Sequence, residues 1–424
     1  MKKYDEYKDS GVAWIGEVPK HWEILRGKYV LKILSGFPFD SQKFEFEDNG
    51  VYMPLIRIRD INGSSTEVYY SGSYPIESVV KTGEVLIGMD GDFNISKWKG
   101  TNALLNQRVC KLREDSSMNT HYAFYMLSSP LKAINSVTYA TTVKHLSVYD
   151  IYNAFIPVPP ISEQAAISTY LDTHCAKIDN LISIQQKRIA LLQELKQSVI
   201  THAVTKGLNP NVEMKQSGVE WIGDVPKHWE IRKIKTLSAV KRGASPRPID
   251  DPKYFAEGGE FSWVRIADVS ASDKYLTTTT QKLSKLGSSL SVKRFPGDIF
   301  ISIAGTVGKP IISSIKCCIH DGFVYFPYLK NMNTEFLYYI FMSGQPYLGL
   351  GKMGTQLNLN TETIGNIDIP YPPITEQAAI ASYLDHKCAT IDTSISNAQH
   401  QIELLQEYKQ SLITEVVTGK YKVC

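Results

Sequence analysis

The 424-residue chain has only six cysteines, Cys110, Cys175, Cys317, Cys318, Cys388 and Cys424, with no C-x-x-C pair and no zinc-like spacing to histidine. This excludes a disulfide framework or a zinc knuckle as the organising device, and reduced thiols are expected. No apolar run approaches the roughly 18 residues of a membrane span. The opening MKKYDEYKDSG carries no apolar stretch of the secretory kind, so a soluble cytoplasmic protein is expected. Charge of one sign is also scarce. A net charge of +3 identifies no partner, because a binding face needs clustered charge and the total does not report clustering. None of the Gly-Lys pairs is followed by serine or threonine, so no phosphate-cradling P-loop is present.

What the chain does have is a repeat. SGVAWIGEVPKHWEI at Ser10 to Ile24 returns as SGVEWIGDVPKHWEI at Ser217 to Ile231, with thirteen of fifteen positions identical. PVPPISEQAAISTYLD (Pro157 to Asp172) returns as PYPPITEQAAIASYLD (Pro370 to Asp385), and LLQELKQSVIT (Leu191 to Thr201) as LLQEYKQSLIT (Leu404 to Thr414). Each copy therefore reads as an opening block, a variable segment and a shared helix. What both copies keep serves a need met twice in the same way, and what differs is free for two jobs. The variable segments, Leu25 to Ile156 and Arg232 to Ile369, retain a faint skeleton of short strands: LIRIRDI (55–61) faces WVRIADV (263–269), and GEVLIGMDGD (83–92) faces GDIFISIAGT (297–306).

After Pro159-Pro160 and Pro372-Pro373, Ser162 and Thr375 are good helix N-caps, with Glu163 and Glu376 where a helix start favours negative charge. Apolar residues then recur at Ile178, Ile182, Ile189, Leu192 and Val199, matched by Ile391, Ile395, Ile402, Leu405 and Leu412. This is coiled-coil seam spacing, with Gln185 and Ala398 at one intervening position and Lys196 and Lys409 at another. One such helix alone would read as amphipathic packing on its own domain; two copies offer each stripe a matching partner. A helix ending near Ala203, before Lys206-Gly207 and Pro210, spans about 42 residues or ~60 Å. The short connector (205–216) predicts an antiparallel pair with pseudo-twofold symmetry. The expected architecture is mixed α/β, with a first globular domain over 1–156, a first spacer helix over 157–208, a second globular domain over 209–369 and a second spacer helix over 370–424. Such an arrangement suits two short DNA sequences separated by an unread gap.

The opening block, the PPxxEQ helix start, the two variable segments and the two spacer helices, in this order, resemble the specificity subunit of Type I restriction-modification systems over essentially the whole chain. The resemblance implies two target-recognition domains that bind an asymmetric bipartite site in double-stranded DNA. It implies two methyltransferase subunits that modify adenine with S-adenosylmethionine, and restriction/translocase subunits that consume ATP with magnesium. No cofactor or metal is expected in this chain, and no catalytic residue. Carried over residue by residue, Pro159, Pro160, Glu163, Gln164, Pro372, Pro373, Glu376 and Gln377 would lie in the region that docks the methyltransferases. Trp14, Trp22, Trp221 and Trp229 would belong to the same framework, where local core packing is the plainer role.

The chain's own chemistry agrees with a recognition role. The double prolines read Val158-Pro-Pro-Ile161 and Tyr371-Pro-Pro-Ile374, lacking the polar residue and aromatic that flank the pair in adenine methyltransferases. Gly349, Gly351 and Gly354 spell G-x-G-x-x-G without the strand and helix a dinucleotide site needs. Glu194-Leu-Lys196 and Glu407-Tyr-Lys409 mimic a nuclease E-x-K but lie in the helical seams. The second variable segment has 17 basic and 11 acidic residues against 14 and 13 in the first, which predicts stronger attraction to the DNA backbone in the second. Base readers are sought among polar positions that differ between copies: Arg59, Asp92, Asn94, Lys144 and His145 in the first, Arg242, Arg247, Lys309, Gln356 and Asn358 in the second. Arginine and lysine suit guanine, and glutamine or asparagine suits adenine; for each residue a solvated side chain or local turn bond is the plainer role. Arg57 and Arg265 match between copies and read as structural. The competing readings are a coiled-coil scaffold with no DNA role and a self-sufficient restriction enzyme.

Overall fold

A computed structural model describes residues 2–137, 144–348, 350 and 359–423. The chain divides into two compact units. Unit 1 comprises Met1–Gln185 and His400–Cys424, and unit 2 comprises Gln186–Gln399.

Unit 1 holds an antiparallel sheet ordered Ile95–Lys97, Val85–Gly88, Val109–Arg113, Lys32–Ser35. A second sheet runs Phe44–Glu45, Tyr69–Tyr70, Met53–Ile56, Ala103–Leu105, Val79–Val80, with Met53–Ile56 and Ala103–Leu105 parallel. Unit 2 repeats both. Pro310–Ser313, Ile299–Ser302, Phe323–Tyr325 and Lys241–Arg242 reproduce the first sheet, and Gln281–Leu283, Phe261–Val264, Cys317–Ile319 and Val292–Arg294 the second, including its parallel pair. The skeleton matched in the sequence is thus real. Met53–Ile56 corresponds to Phe261–Val264 and Val85–Gly88 to Ile299–Ser302, and all residues of the latter pair are buried. Arg57 and Arg265 play the same structural part in the two copies. The backbone N–H of each donates to a carboxylate three residues on, Asp60 at 2.9 Å and Asp268 at 2.8 Å.

Two long helices, Ile161–Lys206 and Ile374–Val417, complete the fold. Each begins one residue before the predicted cap, so Ser162 and Thr375 stand inside the first turn. The first ends at Lys206, later than the expected Ala203, and both are closed by left-handed glycines, Gly207 at φ 73° and Gly419 at φ 72°, the geometry glycine reaches without a Cβ penalty. Each unit takes the N-terminal half of one helix and the C-terminal half of the other, an antiparallel pairing. Unit 1 thus contains residues 161–185 and 400–417 of the helices, and unit 2 residues 186–206 and 374–399. The seam lysines are held by acids of the opposite helix. Lys409 Nζ lies 2.6 and 2.8 Å from the Asp179 oxygens in unit 1, and Lys196 Nζ lies 2.7 Å from both Asp392 oxygens in unit 2. This accounts for the lysine of each E-x-K mimic. Among the described residues no helix is long and apolar enough to cross a membrane, and no cluster of three metal-ligating side chains occurs.

Candidate nucleic-acid interface

The opening block of each copy is held in a joint at the start of its own helix. In unit 1, Glu163 accepts from the Trp22 indole at 3.0 Å and the Tyr4 hydroxyl at 3.0 Å, and lies 2.7 Å from His21 Nε2. Burial of Glu163 works against its ionisation, but these three partners outweigh it and hold its pKa below the ordinary value. In unit 2, Glu376 lies 2.9 Å from the Trp229 indole and 2.7 Å from His228 Nε2. Trp22 and Trp229 are fully buried, while Trp14 and Trp221 are half-buried. The end of the other helix closes each joint. A Cβ on Gly419 would meet Pro19 at 2.3 Å and Trp22 at 3.0 Å, and one on Gly207 would meet Trp229 at 3.1 Å.

Gln164 and Gln377 serve as polar bolts of the two joints. The Gln164 amide accepts from Asn119 N at 2.8 Å and donates to Pro159 O at 2.9 Å and Ser117 O at 3.3 Å. Gln377 does the same with Asn333 N at 2.8 Å, Pro372 O at 2.8 Å and Asn331 O at 3.2 Å. Of the eight residues expected to dock a partner, Pro159, Gln164, Pro372 and Gln377 are buried, and Glu163 and Glu376 are half-buried and engaged within their own unit. Only Pro160 and Pro373 are exposed. For the buried four the expectation of direct contact is corrected, because what the two copies share at these positions is an internal joint.

At one end of the sheets in unit 1, three segments converge. Met89 N donates to Arg108 O at 2.9 Å, Gly91 N to Lys144 O at 3.0 Å and Leu146 N to Met89 O at 2.7 Å, tying the 89–94 loop to the 106–108 turn and to 144–146. Phe93 adopts a left-handed backbone, φ 52°, with its ring in the core. That conformation costs a non-glycine residue about 1–3 kcal/mol. The neighbouring Asp92 and Asn94 are both exposed. Asp90 lies 2.6 Å from His145 Nδ1 and 3.5 Å from Arg108 Nε. Lys144 is partly spent, its Nζ donating to the backbone O of Asn135 at 2.6 Å and to Oδ1 at 3.0 Å. Arg59 stands exposed on the turn whose Ile58 and Ile61 face Gly88.

Unit 2 builds the same end with other side chains. Ile303 N donates to Gly322 O at 2.8 Å, the counterpart of Met89 to Arg108. Gly243 packs where a Cβ would meet His320 O at 2.2 Å, as one on Gly36 would meet Asn106 O at 1.9 Å. Asp321 accepts from Ser245 Oγ at 2.9 Å and Arg247 Nη2 at 3.0 Å, while its backbone oxygen accepts from Arg242 Nε. Burial pushes the His320 imidazole below its ordinary pKa, consistent with its Nδ1 accepting from Gly322 N at 2.8 Å. Lys309 departs from its expected role. Its Nζ caps the end of the short helix Ile266–Ala271 through Ser272 O at 2.6 Å and Ser270 O at 3.2 Å, and burial lowers its pKa. Gln356, Asn358 and the glycines 349, 351 and 354 lie outside the described residues. Sequence reasoning missed Asp90, Arg108, Ser245 and Asp321, although Arg108 faces Gly322 and Asp321 faces Gln107, differences between copies of the kind that selected the other candidates.

Comparison with known proteins identifies the family. A family model, the Type I restriction modification DNA specificity domain, matches residues 19–194 and again 226–404. The chain belongs to this family of two-domain DNA-recognition subunits. It is 28% identical over 417 residues to the Type I restriction enzyme EcoBI specificity subunit of Escherichia coli, covering 94% of this chain and 86% of that one. It is 26% identical over 426 residues to the MjaVIII specificity subunit of Methanocaldococcus jannaschii, covering 96% and 94%. Among solved structures, a chain of a type I restriction-modification system matches with TM-score 0.73 at 19% identity over 95% of this chain and 99% of that one. The HsdS subunit from Thermoanaerobacter tengcongensis matches at 0.51 and 18% identity, over 95% and 98%. These likenesses establish the fold, and the family match establishes DNA sequence recognition as its business.

Proposed function

We propose that this chain reads an asymmetric bipartite site in double-stranded DNA, each unit reading one half through the sheet end described above. The observation that carries the reading is that topology and joint are repeated almost residue for residue, whereas the side chains on the two ends are replaced: Asp90, Asp92, Asn94, Arg108 and His145 in one, Arg242, Ser245, Arg247 and Asp321 in the other. Repetition of the frame supplies the same docking twice, and replacement at the tips supplies two base preferences. Length of the two long helices would set the stretch of unread DNA between the halves.

The chain works without chemistry of its own, directing adenine methylation and ATP-dependent restriction by partner subunits that carry S-adenosylmethionine, ATP and magnesium. Two methyltransferase partners would dock on positions that are apolar and exposed in both copies: Leu191 (64% exposed) and Leu195 (49%) in unit 2, and their equivalents Leu404 (50%) and Tyr408 (53%) in unit 1. Exposed apolar side chains recurring at equivalent places support one partner per copy.

Binding of the assembled complex to duplex DNA, followed by a titration of salt, tests the reading. Affinity should fall steeply and linearly on logarithmic axes as phosphate contacts are screened. Leu191→Asp with Leu404→Asp should release the methyltransferase partners while the chain stays folded. A salt-independent or absent interaction with DNA would identify the chain as a scaffold instead.

A further inference from the structure

In both units a carboxylate stands beside an arginine at the sheet end. Asp90 takes Arg108 through Nε and His145 through Nδ1. Asp321 takes Arg247 through one Nη, and its own backbone oxygen takes Arg242 through Nε. The acids come from different places in the frame: Asp90 from the loop after Val85–Gly88, Asp321 from the turn between Cys317–Ile319 and Phe323–Tyr325. A shared ancestral residue therefore does not explain the likeness. Both clusters remain at the surface, with the side chains of Arg108 and Arg247 exposed by 55% and 69%.

A surface arginine has many rotamers, and fixing one on binding costs conformational entropy. A pair of this kind is a weak source of fold stability, because exposed ion pairs contribute little. Its physical effect is on orientation. The guanidinium carries five N–H donors in a rigid fork; Asp321 accepts from one of those of Arg247 at 3.0 Å, and Asp90 forms an ion pair with Arg108 Nε at 3.5 Å. The others remain for an incoming acceptor, and the fork matches guanine O6 and N7. The carboxylate also repels phosphate, so the cluster is ill suited to non-specific backbone attraction and suited to a base edge.

Resting on the bipartite-site reading, we propose that Arg108 and Arg247 read guanine, one in each half-site, and that Asp90 and Asp321 are positioning residues that pre-orient them. Neither acid touches DNA. Each raises discrimination by lowering the ordering cost of its arginine.

The test is selection of bound duplexes from a randomised library by the full chain in complex with its partners. Arg247→Ala should lose roughly tenfold or more of its preference for one guanine in one half-site, with the other half unchanged; Arg108→Ala should do the same in the opposite half. Asp321→Asn should weaken preference at the same guanine as Arg247→Ala while non-specific affinity stays equal or rises, because a negative charge has been removed. A merely structural Asp321 would instead lower the melting temperature and blur every position of that half. A wild-type complex that selects no motif overturns the bipartite reading itself. A clear wild-type motif left intact by Arg247→Ala and Arg108→Ala, or altered only at A·T pairs, overturns the guanine assignment. Unchanged preference in Asp321→Asn and Asp90→Asn, with the arginine variants behaving as stated, overturns the positioning role.

Discussion

Replacing Gln164 with alanine separates two roles that the sequence alone could not tell apart. The side chain is buried and makes three hydrogen bonds, to Asn119 N, Pro159 O and Ser117 O. Each such bond contributes about 1 kcal/mol net, and a buried group left without its partner costs more, so the loss is about 3 kcal/mol. Unit 1 is of a size at which 1 kcal/mol shifts the midpoint by about 2–4 °C, which places the expected fall at about 6–12 °C. Asn119 precedes the helix Thr120–Val137, so the damage is to the angle at which that helix meets the long one. Thermal unfolding of the free chain is the assay, with Gln377→Ala as the matched change in unit 2 and exposed Pro160→Ala as the control. If Gln164→Ala melts within a degree of the parent yet loses its methyltransferase partner, the residue is a docking contact and the joint argument fails.

Further outcomes follow from the same geometry. Lys196→Ala should cost roughly 0.5–1 kcal/mol, since its acid partner is half exposed and solvent screens the pair; the reversed pair Lys196→Asp with Asp392→Lys should recover most of this in a denaturant titration, and no recovery would mean the seam lysine acts through its stem alone. Seven residues inserted into both long helices add ~10 Å at 1.5 Å per residue, and the unread gap of the selected site should grow by roughly three base pairs at about 3.4 Å each; an unaltered gap would remove the helices from the account of spacing. Burial raises the Cys110 and Cys318 thiols to about 12 and Cys317 to about 11, so these three should resist a thiol reagent near neutral pH until the chain is unfolded; rapid labelling of the native protein would contradict their burial.

The repeat exposed the frame because identity between copies marks what folding needs twice: Trp22 and Trp229, Glu163 and Glu376, and the seam with its lysines were all readable. The sequence pattern places the end of the first helix near Ala203, a few residues short of the Gly207 that closes it. What stayed hidden were relations between segments far apart in sequence. Nothing local announces that Gln164 reaches Asn119, that Asp90 meets His145, or that Lys309 turns inward to cap a helix. Periodicity reports a side chain's face but not its partner. Burial of Pro159, Gln164, Pro372 and Gln377 stayed hidden for a related reason, since a shared block resembles a shared surface, while these four positions form a shared interior. The exposed shared positions, Leu191 with Leu404 and Leu195 with Tyr408, lie in the third repeated block, on a face that the seam spacing does not mark.

The central claim is that the two variable segments independently specify two half-sites. Replacing residues 232–369 with the corresponding segment of another member of the family, and sequencing the methylated positions in cells that carry the whole system, addresses it directly. The account predicts that one half of the methylated motif changes while the other half and the gap persist. A motif that changes in both halves, or in neither, would contradict it.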